Sequence, residues 1–97
     1  MEKATYIFIE EFCNHHNIEV SLVHRLVEFE ILTIEKKEEK EMIRISELPK
    51  LEKMVRLHQE LEINPEGLQA IHHLLIQVTN LQDEVKLLRR KLHRFEN

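Results

Sequence analysis

Cys13 lies two and three residues before His15 and His16, and a second histidine pair stands at His72 and His73. Thiolate and imidazole are the ligands that zinc and copper select, and a thiol beside an imidazole is also the starting point of a cysteine nucleophile. The spacing serves neither chemistry. On a helix Cys13 and His16 share a face, but His15 points elsewhere, and adjacent histidines diverge by about 100°. No oxyanion-donor loop or third orienting group accompanies the thiol, and the single glycine, Gly67, cannot build a phosphate-cradling loop. The expectation is a buried Cys13 with solvent-facing histidines, no metal, no cofactor and no enzyme activity. A lone cysteine also excludes an internal disulfide.

Surface charge is therefore the chemistry left to the chain. Of 97 residues, 14 are Lys or Arg and 18 are Asp or Glu, a net charge of −4. Residues 1–32 hold 2 basic and 6 acidic side chains, residues 33–63 hold 7 and 8, and residues 64–97 hold 5 and 4. Proteins grip nucleic acid mainly through Lys and Arg on phosphates, so an N-terminal third at −4 speaks against DNA and for a basic protein partner. The one basic cluster, Lys86, Arg89, Arg90, Lys91 and Arg94, sits near the chain end, where it complements a helix C-terminal dipole.

The elements that must carry this charge are mainly helical, since Gly is 1, Pro is 2 and aromatics are 5%. TYIFI reads as a short strand running into a helix over Glu10–His15, with a turn at Asn17. EVSLVHRLVEFEIL has apolar residues at helical spacing, giving a helix-turn-helix candidate. The charged run Glu35–Lys40, followed by Glu41, stands between Leu32-Thr33-Ile34 and Met42-Ile43-Arg44-Ile45, a hairpin with a solvated tip, or wing. Ser46 is placed to cap a third helix with Leu48, Leu51, Val55, His58 and Leu61 on one stripe, stopping near Ile63. Asn64-Pro65 is a helix start signal for a long fourth helix. Two units result, a winged helix-turn-helix over 1–63 and a helix over 64–97. No run of about 18 apolar residues and no secretory signal is present, so a cytoplasmic protein without a membrane span is expected.

In the last helix Ile71, Leu74, Val78, Leu81, Val85, Leu88, Leu92 and Phe95 alternate steps of three and four. This is a coiled-coil seam, and a helix of about 31 residues, about 46 Å long, outreaches so small a domain, so a homodimer is expected. Parallel pairing would set Glu84 against Arg89 and Lys91 against Glu96; antiparallel pairing matches Glu84 with Lys91, and orientation stays open.

The second helix carries an apolar arc of nearly 200°, wider than a core stripe needs. Leu22, Leu26 and Phe29 occupy one side, and Val20, Val23, Val27 and Ile31 the next. Val20 and Val27 are the candidates for exposure. With Glu19, His24, Glu28 and Glu30 they form a candidate partner-binding surface, an apolar patch rimmed by carboxylates, with Glu10 and Glu11 on the preceding helix.

The order strand, helix-turn-helix, charged wing, third helix, long coiled-coil helix resembles the MerR-type winged helix. FIEEFCNHHNI, LVEFEIL, MVRLHQELEINPEGL and LQDEVKLLRRKLHRF, in that order, resemble the chaperone-modulator family CbpM over essentially the whole chain. That resemblance implies a small dimer that binds the J-domain of a DnaJ/CbpA-like co-chaperone, whose second helix is basic, and inhibits its action with a DnaK-type chaperone. The alternative is a MerR-type DNA-binding transcriptional regulator using Arg25, Arg44, Lys36, Lys37 and Lys40. DNA-binding MerR proteins usually show an Arg with aromatics in the second helix and a Gly-Tyr-Arg wing, where this chain reads HRLVEFE and EKEMIRI. Metal-sensing relatives place cysteines beside the dimer helix, and none follows Cys13.

Overall fold

A short strand, β1 (Tyr6–Phe8), passes directly into helix α1 (Ile9–His16) in the computed structural model, which describes residues 5–96. Residues 1–4 and 97 of the two expected units lie outside that range. Asn17 ends α1 in the left-handed region at φ 59°, and the N–H of Ile18 donates to the Cys13 carbonyl at 3.0 Å. A short polar side chain tolerates this conformation, which is why the turn was legible.

Helix α2 (Val20–Glu28) stops earlier than the apolar arc suggests. Glu30 adopts φ 62°, its N–H donates to the Val27 carbonyl at 2.9 Å, and the N–H of Ile31 donates to the Leu26 carbonyl at 2.9 Å. That is a Schellman closure with glutamate in the position that glycine usually fills. Ile31, expected on the helix, instead follows this closure and is buried.

The wing comprises β2 (Ile34–Lys37) and β3 (Lys40–Arg44), so both strands run further into the charged segment than Leu32–Ile34 and Met42–Ile45 indicate. The turn is Glu38-Glu39, at φ 52° and 69°, the positive φ pair of a type I′ hairpin. Strand order is β1-β3-β2, all antiparallel, with Ile7 and Ile34 both opposite Ile43. This places one apolar row on the core side and leaves the charged tip in water.

Ser46 does not cap the third helix. It lies inside a 3₁₀ turn over Ile45–Glu47, and α3 (Leu48–Glu60) begins with Pro49 in its first turn, where the fixed proline φ suits a helix start. Leu51, Met54 and Val55 are its buried residues, while Leu61 falls beyond the helix and is exposed. Helix α4 (Pro65–Glu96) starts as its signal dictates: Asn64 Oδ1 accepts the Gly67 N–H at 2.8 Å and its carbonyl accepts the Leu68 N–H at 2.9 Å.

One core joins Ile9, Phe12, Val23, Leu26, Ile43, Leu51 and Leu68. Burying such a side chain stabilises by roughly 1.5–3 kcal/mol. Only the base of α4 shares in it. The helix is about 48 Å long, and the radius of gyration is 17.7 Å, against about 13 Å for a compact chain of this size.

Candidate functional site

Helix α2 is wedged between α1 and the base of α4. That position uses up most of its apolar arc: Leu22, Val23 and Leu26 are buried. Val20 and Val27, expected as an exposed patch, are half-buried and pack against the core. The surface α2 offers is therefore polar at its centre, and the exposed Glu19 and Glu30 flank its two ends.

Arg25, the only lysine or arginine of α2, is fully engaged. Its Nη2 donates to Glu66 in the first turn of α4, its Nε lies 3.5 Å from Glu28 Oε1, and its guanidinium stands 5.0 Å from the centre of the Phe29 ring. The hydrogen bond from Arg25, helped by Glu66's own backbone N–H, holds the Glu66 carboxyl below the usual carboxylate range. One residue earlier, His24 Nε2 stands 2.8 Å from Glu41 Oε1 on β3, tying α2 to the wing. Glu19, Glu28 and Glu30 are exposed, as are Glu10 and Glu11 on α1.

Not all the expected partner-binding residues come together. Glu19, His24 and Glu28 border one open cleft, whose floor reaches Leu22 and whose far wall is His58 and Pro65. Val20 instead lines a separate groove between the start of α1 and the wing, and Val27 and Glu30 line neither. The partners Glu41 of His24 and Glu66 of Arg25 were not legible, because they lie far from α2 in sequence and no local spacing announces them.

Along α4, Ile71 is half-buried, but Leu74, Val78, Leu81, Val85, Leu88, Leu92 and Phe95 are all exposed, Leu88 at 62% and Phe95 at 89%. At Leu74 the chain's own domain therefore no longer covers the seam. A continuous apolar stripe this long is uncommon on a solitary chain.

Cys13 is buried, and burial pushes its thiol above the ordinary value. His16 stacks on Phe12 with centroids 4.1 Å apart rather than converging on the sulfur. His15 meets His16 edge-on, and the rings of His72 and His73 are tilted 58° apart. Among the described residues no three His, Cys, Asp or Glu side chains converge in a way that could hold a metal ion. No helix among them is long and apolar enough to cross a membrane.

No protein of curated function matches the chain in sequence. The model of the MerR HTH family regulatory proteins matches residues 7–90, from β1 through the wing and α3 into the distal part of α4. With that extent of match and this order of elements, the chain belongs to the MerR family of helix-turn-helix regulatory proteins.

Proposed function

We propose that this MerR-family chain is a cytoplasmic chaperone modulator. It binds the J-domain of a DnaJ/CbpA-like co-chaperone through the α1–α2 surface, inhibits its work with a DnaK-type chaperone by occupying that face, and dimerises through the bare seam of α4. The action is equilibrium binding, with no covalent step and no cofactor. The observation that carries this reading is the pairing of Arg25: the one lysine or arginine of α2 is engaged by Glu66 and Glu28, so a phosphate would have to compete with two carboxylates for it. The exposed carboxylates Glu10, Glu11, Glu19, Glu28 and Glu30 on and beside α1 and α2 suit a basic protein helix and repel a nucleic-acid backbone.

Calorimetric titration against purified J-domain proteins tests the reading, with stopped-flow kinetics on two variants. Glu28→Lys with Glu30→Lys slows association and removes most of its salt dependence, because rim charges act on the encounter. Val27→Ala, checked for folding by circular dichroism because Val27 is half-buried, speeds dissociation with little change in salt dependence. Absence of binding to every J-domain at micromolar concentration overturns the proposal.

The alternative, a DNA-binding regulator, is favoured by the family match itself and by the exposed wing lysines Lys36, Lys37 and Lys40. A sequence-specific footprint at nanomolar protein decides for it.

A further inference from the structure

Where the wing folds back over the start of α1, a groove of about 430 Å³ opens beside the first turn of α2. Phe8 and Val20 supply its apolar wall, and Phe8, at 37% exposed, presents part of its ring to the solvent. Lys40 of the wing stands over that ring, its Nζ 5.4 Å from the centroid. Glu10 and Glu11 from α1 flank one side, and Glu39 and Glu41 from the wing the other, Glu41 also meeting His24. Against these four carboxylates the groove holds two ammonium groups, Lys36 and Lys40.

An aromatic face ringed by carboxylates is the arrangement that attracts an ammonium or guanidinium group. The groove offers a single aromatic face, that of Phe8, which has room for one cationic head group. The occupant it fits is a single projecting side chain. We propose that the groove seats one lysine or arginine side chain projecting from a basic partner helix, and that Lys40 is its internal stand-in, displaced when the partner docks. The proposal rests on the reading of this chain as a binder of a basic J-domain surface, and it names the part of that surface that reads a cation. Displacing Lys40 is cheap, since a flexible four-carbon stem lets its ammonium return to water.

Calorimetry of the full chain with a purified J-domain, on single and combined variants, tests it. Phe8→Leu keeps an apolar wall but removes the ring face, and should weaken binding by roughly three- to tenfold. Lys40→Gln and Lys36→Gln each remove one positive charge from the groove, but only the first also removes the competitor from the ring. Lys40→Gln should tighten binding more than Lys36→Gln, and the excess should vanish in the Phe8→Leu background. Equal gains from both lysine variants, with Phe8→Leu at wild-type affinity, overturn the proposal. Thermal melting confirms that Phe8→Leu folds; Glu10→Gln with Glu11→Gln, both exposed, gives a second route to the same loss. A parallel NMR titration with millimolar N-acetyl-arginine methylamide follows the Phe8 ring and the Glu10 amide. Saturable shifts, absent in Phe8→Leu, uphold the groove even where no J-domain binds, an outcome that overturns the J-domain reading alone. J-domain binding indifferent to all these variants overturns the groove alone, and silence in both titrations overturns both.

Discussion

Arg25 and Glu66, 41 residues apart in sequence, meet where α2 crosses the first turn of α4. The contact joins the helix-turn-helix surface to the long helix, and Glu66 also sits where the α4 dipole favours a carboxylate.

Exchanging the two charges tests whether the pair acts as a unit. Arg25→Glu and Glu66→Arg should each lower the melting temperature, Arg25→Glu more because it also loses the Phe29 ring contact. The double variant should recover part of the combined loss, as coupled neighbours do. Strictly additive melting shifts would show that the two side chains do not interact in solution.

The seam of α4 predicts oligomeric state. Wild type should sediment as a dimer, and Leu81→Lys with Leu88→Lys, which places charge in the apolar stripe, should sediment as a monomer. Both residues are exposed in the single chain, so folding of the N-terminal domain should survive. Equal sedimentation mass for the two proteins sinks the assignment.

Specific protein–DNA complexes form at about 10⁻⁸ to 10⁻¹¹ M at physiological salt. With Arg25 occupied, no duplex should be bound in that range. Footprinting at physiological salt is the check.

The wing turn offers a stabilising change. Glu38 and Glu39 both hold positive φ, which costs an ordinary L-residue about 1 kcal/mol each. Glu38→Asn with Glu39→Gly suits the same turn and should raise the urea midpoint at unchanged m-value; a lowered midpoint would mean that the turn differs from this geometry.

Burial, then the charges of Lys50 and His73, hold the His72 imidazole below the ordinary histidine value. The folded protein therefore binds fewer protons than the unfolded chain in the window below about pH 6.5, and His72 contributes stability that is present above that pH and lost as pH falls through its folded value. His72→Gln should lose less stability than wild type between pH 7.5 and pH 5, as read from urea midpoints. Equal losses would refute the assignment.

Local patterning made the helices, wing and α4 start legible because their signals are contained within a few residues: Asn17 at a turn, six charges in a row, Asn64 before Pro65. Glu30 closing α2 was not legible, since no glycine marks that left-handed position and the apolar period runs on past it. The same holds for Ser46, a good cap by type that the 3₁₀ turn before Pro49 displaces. For the candidate site, the excess of carboxylates could be counted from the sequence, but the division of Val20 from Glu19 and Glu28 into separate clefts depends on how the wing folds over α1. Residue type alone does not report that.

At the base of α4 the chain's only glycine has a further consequence. A Cβ at Gly67 would come within 2.6 Å of the Ile63 side chain, so the isoleucine lies directly against the helix backbone at the point where α4 takes its angle to the domain. A rod of about 48 Å amplifies that angle: a tilt of 10° at Gly67 carries the tip sideways by about 8 Å. Gly67 therefore stands at the fulcrum of a lever, where any repacking of Ile63 that tilts the helix is magnified along the seam.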